Sequence, residues 1–152
     1  GLAARDIPAA DAALARFAQL VPHVDPATPG AGAAGGTGFA LLAWGARLVP
    51  GAAEVARIIG LADAAARADA VVTGEGSYDA QTASGKAPAE VVRIAAEAGV
   101  SALLVAGRIT AEPVGFTDAA DASSVAGNSA AALADPRRWL AAASASLARR
   151  VA

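Results

Sequence analysis

The residues of this chain best equipped for chemistry fall between positions 71 and 86, Val71-Val72-Thr73-Gly74-Glu75-Gly76-Ser77-Tyr78-Asp79-Ala80-Gln81-Thr82-Ala83-Ser84-Gly85-Lys86. A β-branched run there leads into a polar, glycine-rich stretch with two carboxylates, an amide, hydroxyls and an ammonium. Glu75 or Asp79 can ligate Mg2+ beside substrate oxygens, or accept the proton of a substrate hydroxyl. Local capping of a turn by Ser77 and Asp79 is the structural alternative. Of the twelve basic residues eleven are arginine, and Lys86 is the single lysine. A compact ammonium serves phosphate where the planar fork of arginine does not fit. The competing account is a solvated lysine near a helix start, where the helix dipole disfavours it. Gly74, Gly76, Gln81, Thr82 and Gly85 complete the candidate site as backbone and orienting groups.

A second glycine cluster, Gly30-Ala31-Gly32-Ala33-Ala34-Gly35-Gly36-Thr37-Gly38, satisfies the G-x-G-x-x-G spacing but follows Pro26 and Pro29, where a dinucleotide site requires a strand. It also has the P-loop glycines, with Gly36 in place of the essential lysine. Both motif readings fail. What survives is a flexible loop at a helix N-terminus whose backbone N–H groups suit an anion, with Gly32, Gly35, Gly36 and Gly38 as its candidates. Close packing of helices through small residues is the alternative. His23, between prolines, reads as structural.

These groups need positioning elements. Leu14, Phe17, Ala18 and Val21 recur at helical spacing after Pro8, giving an amphipathic helix over Ala9 to Val21 that Pro22 stops. His23 to Pro29 reads as extended linker. Helices are expected over Phe39 to Trp44, Ala52 to Ile59 and Ala62 to Ala68. The pattern then alternates: strand Ala70 to Thr73, helix Ala87 to Ala98 with Pro88 in its first turn and Gly99 past its end, strand Val100 to Ala106, a short strand within Ala119 to Val125, and helix Pro136 to Val151. Arg108 falls just past the second strand, at the same sheet edge as the Glu75 loop. Strand–helix–strand order predicts a parallel sheet with helices on both faces, a three-layer Rossmann-like α/β lobe. Residues 1–68 form a helical segment with a glycine loop, and 69–152 the α/β segment. Two or three strands leave such a sheet incomplete, so further chain is expected to supply the rest.

Composition narrows the function classes. A net charge of −2 and a pI near 5.3 argue against a sequence-independent nucleic-acid binder. About a third of the residues are alanine, and no run offers the ~20 strongly apolar residues of a membrane span. The absence of cysteine fits a cytoplasmic protein. Methionine is absent even at position 1, and Gly1-Leu2-Ala3-Ala4-Arg5 reads as a join into a longer polypeptide.

Taken together, Pro29-Gly30-Ala31-Gly32-Ala33-Ala34-Gly35-Gly36-Thr37-Gly38 and Gly74-Glu75-Gly76-x-x-Asp79-x-Gln81-Thr82-x-x-Gly85-Lys86-x-Pro88 resemble the two glycine-rich elements of the bacterial glycerate kinase type-1 family, in the same order and with similar spacing. The likeness runs from about residue 6 to about residue 110. It departs at Glu90, where the family commonly has glycine, and at Arg108, where it often has serine. The resemblance implies ATP-dependent phosphorylation of D-glycerate, to 2-phosphoglycerate in most members, by a two-lobed enzyme of which this chain matches the C-terminal part. Glu75, Asp79 and Lys86 would then be catalytic, and Mg2+ would sit at Glu75 or Asp79. ATP and D-glycerate would be the ligands, with the remainder of the longer chain and a second copy of it as partners. A non-catalytic phosphometabolite- or nucleotide-binding module on the same scaffold is the alternative.

Overall fold

The structure, a computed structural model, describes residues 2–80 and 87–151. Two compact units, Gly1–Val49 and Pro50–Ala152, divide the chain.

In the first unit a 3-10 turn, Ala4–Asp6, leads into helix α1, Ile7–Gln19, with Pro8 in its first turn, where a missing N–H costs nothing. Residues 21–30 are a succession of turns and bends, not the expected extended linker. Asp25 is the reason: its carboxylate accepts from the Ala27 N–H at 2.8 Å and its carbonyl from the Thr28 N–H at 3.1 Å, which folds the chain back between the prolines. Helix α2, Ala33–Ala43, is broken internally: Ala34, Gly35 and Gly36 all have positive φ, at 50°, 69° and 94°. A regular right-handed helix therefore begins only at Thr37. The Phe17 and Phe39 rings pack edge to face at 5.6 Å, fastening α1 to α2.

The second unit opens with α3, Gly51–Ile58, and α4, Leu61–Ala65. Strand β1, Ala70–Tyr78, crosses over through α5, Ala87–Ala98, to β2, Ser101–Ile109; β3, Asp118–Asp121, follows. The sheet order is β1-β2-β3, all parallel, with Val72 opposite Leu103 and Leu103 opposite Asp118. Two short helices of mostly small residues, α6, Ala122–Ala126, and α7, Ser129–Ala134, precede the long α8, Pro136–Val151.

Alternation along the strands feeds two cores. Ala56, Ala65 and Ile94 of α3, α4 and α5 pack with Val71 and Val100 on one face; Ala143 and Leu147 of α8 pack with Leu103 and Ala120 on the other. Helices on both faces make the three layers that strand–helix–strand order implies. Leu104 at the sheet centre is fully buried, and Tyr78 meets Phe116 edge to face at 6.0 Å near the strand ends. Arg150 fastens α8 to β3, its guanidinium bidentate to the Asp118 carboxylate at 2.8 and 3.1 Å and also donating to the Ala119 carbonyl. That pairing, with the Ala119 N–H, holds the Asp118 carboxyl below its usual range. No helix among the described residues is long and apolar enough to cross a membrane.

Candidate functional site

The first strand is longer than its sequence suggests, and this moves the candidate site. Gly74, Glu75 and Gly76 do not form a loop; they continue β1 and pair with β2, Gly74 opposite Val105 and Glu75 opposite Ala106. The glycines, which read as turn signals, have another role. A Cβ at Gly74 would run into the Val105 carbonyl oxygen, and one at Gly107 would stand 2.5 Å from the Gly76 carbonyl oxygen. The two strands thus approach so closely that only hydrogen fits at these places. Gly76 differs: nothing lies within 4 Å of where its Cβ would be.

Arg108, expected beyond β2, lies within it, opposite Ser77, and its guanidinium reaches the Ser77 hydroxyl at 3.3 Å. The short third strand expected within Ala119 to Val125 is present as Asp118–Asp121. Asp121 accepts from the Ser124 N–H at 2.8 Å and so starts α6, and Asn128 does the same for α7 through Ala131. These two caps are sequence signals from which the two short helices, not expected from the sequence, could have been read.

A cavity of about 670 Å3 opens over the carboxyl-terminal halves of β1 and β2. Its floor is Gly74 to Ser77 with Val105, Gly107 and Arg108; α6, α7 and α8 contribute Ser123, Ser129, Leu133, Pro136 and Leu140. The Ser123 hydroxyl donates to the Gly107 carbonyl at 2.8 Å and lies 3.1 Å from the Ser129 hydroxyl, tying α6 and α7 to the strand end. Ligands of open parallel sheets bind at this edge. Among the cavity's lining residues Arg108 is the only cation and Glu75 the only carboxylate, and they make no ion pair with each other.

Among the described residues Glu75 Oε1 is buried without a hydrogen-bond partner. An orphaned carboxylate oxygen is costly in a folded protein and marks an acceptor position that a ligand hydroxyl or a cation would fill. Asp79 follows directly after β1, partly buried, one residue past Tyr78. Among the described residues no three His, Cys, Asp or Glu side chains converge. A single carboxylate with substrate oxygens suits Mg2+, so Glu75 fits that ion as well as it fits a hydroxyl. Gln81, Thr82, Gly85 and Lys86 lie outside the described residues.

The other glycine cluster belongs to the first unit. Gly32 and Gly35 have no atom within 4 Å of a Cβ, Gly36 would press on Leu14, and Gly38 would strike the Gly30 carbonyl oxygen. The Phe39 N–H donates to the Ala31 carbonyl at 2.8 Å, closing the turn over itself. Gly32 to Gly35 are exposed, and Gly38 is buried. His23 is exposed on the preceding turn.

The glycerate kinase family model matches residues 1–152, and the chain belongs to that family. Glycerate 2-kinase of Escherichia coli is 37% identical over 102 residues, which cover 64% of this chain and 27% of that protein. An uncharacterized Mycobacterium bovis protein is 37% identical over 119 residues, 75% of this chain and 31% of its own. A crystal structure assigned to glycerate kinase 2 of Salmonella typhimurium LT2 superposes with a TM-score of 0.62 at 39% identity, over 78% of this chain and 33% of that one. The chain therefore spans about a third of the length of these relatives.

Proposed function

We propose that the protein carrying this chain is an ATP-dependent glycerate kinase that transfers the γ-phosphoryl group to the 2-hydroxyl of D-glycerate, giving 2-phosphoglycerate and ADP. The observation that carries this reading is the buried, partnerless Oε1 of Glu75 beside a cavity at the strand ends, in a chain of the glycerate kinase family. In the reaction the 2-hydroxyl oxygen forms a bond to the γ-phosphorus, the bond from that phosphorus to the β–γ bridging oxygen breaks, and the hydroxyl proton needs an acceptor. Glu75, whose Oε1 is buried, supplies one. Phosphoryl transfer otherwise demands positioning and positive charge. Lys86 takes anionic oxygens; Gln81 and Thr82 orient them. Mg2+, held through Glu75 or Asp79, would neutralise charge on the phosphates. With Glu75 as metal ligand, Asp79 takes the proton.

The test is turnover. A full-length protein containing this segment, given Mg-ATP and D-glycerate, is expected to release ADP only when acid and metal are both present, with phosphate on the 2-hydroxyl. Saturable binding of nucleotide or glycerate without ADP release would replace the enzyme by a non-catalytic binding module on the same scaffold.

A further inference from the structure

The chemistry of the β1–β2 cavity indicates which of the two ligands belongs there. Resting on the kinase reading for the identity of the nucleotide, we infer that this cavity holds the adenine nucleoside end of ATP, and that Arg108 at the cavity takes its phosphates.

Three observations support the assignment. A three-carbon hydroxy acid would leave most of about 670 Å3 empty, whereas a nucleoside suits a cleft in the usual range of 300–1,000 Å3. The walls from α7 and α8 are apolar, with Leu133, Pro136 and Leu140 lining the cavity together with Val105, and Leu133 is 79% exposed. The Ser123 and Ser129 hydroxyls are already engaged with each other and with Gly107. Apart from Glu75 and Arg108 such a lining offers little to a small hydroxy acid, and its apolar walls favour a flat heterocycle. Finally, Gly76 leaves open space over the strand where any side chain would project, so the bare peptide plane can lie against a ring. Arg108 is tied to one neutral hydroxyl and no carboxylate among the described residues. It therefore keeps donors for an anion.

All the lining residues belong to the second unit, and the test uses the full-length protein that carries this chain. Amide chemical shifts would be followed while it is titrated separately with adenosine, ATP and D-glycerate. Adenosine and ATP are expected to move Gly74, Gly76, Gly107, Leu133 and Leu140. Gly76→Val and, as an exposed substitution that spares the core, Leu133→Asp are each expected to weaken both ligands. Arg108→Ser is expected to weaken ATP roughly tenfold or more, the scale of one charge-assisted hydrogen bond, and to leave adenosine unchanged. D-glycerate moving these amides while adenosine does not, nucleotide shifts confined to the Gly32–Gly38 turn, or no shift at millimolar nucleotide would each overturn the assignment. The first two results leave the kinase reading standing. ADP release that ignores glycerate in the turnover assay removes that reading and leaves the cavity assignment intact.

Discussion

The chain has two glycine-rich segments, and they use glycine for opposite reasons. In the first unit, Ala34, Gly35 and Gly36 run through the left-handed region, and glycine there serves the backbone's own conformation. In the second, Gly74 and Gly107 lie in paired strands, and glycine serves the neighbour's carbonyl. One segment spends its missing Cβ chiefly on a turn, with Gly38 alone close against the Gly30 carbonyl oxygen, the other on strand proximity. Gly76 is the exception in the second, since no atom of the described residues lies where its Cβ would be. Glycine counts and spacing do not distinguish these cases; only the partner of the absent Cβ does.

The sharpest test of the contrast is catalytic. In a full-length protein, Glu75→Gln and Lys86→Ala are each expected to lower kcat/KM by roughly two orders of magnitude or more, the scale of losing a proton acceptor or a phosphate-directed charge. Steady-state kinetics that drop only a few-fold for Glu75→Gln would detach the strand segment from the chemistry.

Next in size is the pair of neighbouring glycines on β1. Gly74→Ala is expected to destabilise the second unit by about 2–4 kcal/mol, as a backbone clash in a paired strand, while Gly76→Ala stays within about 0.5 kcal/mol because its Cβ enters open space. Urea midpoints compare the two directly. Equal losses would mean that strand proximity is not what the Gly74 position requires.

A smaller effect separates the residues of the turn. Gly36→Ala places a side chain at φ 94° against Leu14 and is expected to cost about 1–2 kcal/mol. Gly32→Ala, at φ −75° with open space around it, is expected to be neutral or slightly stabilising. Thermal unfolding that ranks them the other way would break the conformational account of the first segment.

The smallest effect is electrostatic. Arg150 and the Ala119 N–H lower the Asp118 pKa, so their contribution is complete above the ordinary carboxylate range and is lost as pH falls through the lowered value. Arg150→Ala is expected to lower the unfolding temperature slightly at neutral pH, with the gap from the parent closing in strong acid. A gap that widens on acidification contradicts this sign.

Much of this architecture was legible in the sequence. Pro88 and Gly99 bracketed α5, and Pro136 opened α8, both where the structure has them. The reading failed where small residues carried the signal. Gly74-Glu75-Gly76 read as a turn because local propensity cannot see a strand that a neighbour compresses. The alanine- and serine-rich stretch after Asp121 showed no periodicity, although Asp121 and Asn128 were standard helix caps. Glu75, Arg108 and the Ser77 hydroxyl were each visible as chemistry, but their meeting required the register Glu75–Ala106 and Ser77–Arg108, which only the paired strands define. Ser123 and Ser129 had no signal of their own; α6 and α7 bring them to the strand end.

The aromatic placement gives each unit its own optical signature. The first unit carries Trp44, 84% exposed, and the second carries Trp139, half-buried with the Arg138 guanidinium 4.6 Å from its ring centre. Trp44 already emits from water in the folded state, so a red shift on denaturation comes chiefly from Trp139. Tyr78, the single tyrosine, is buried against Phe116. Near-ultraviolet dichroism from its ring and the Trp139 emission therefore watch the second unit from two ends, the tip of β1 and the start of α8, without a label being added.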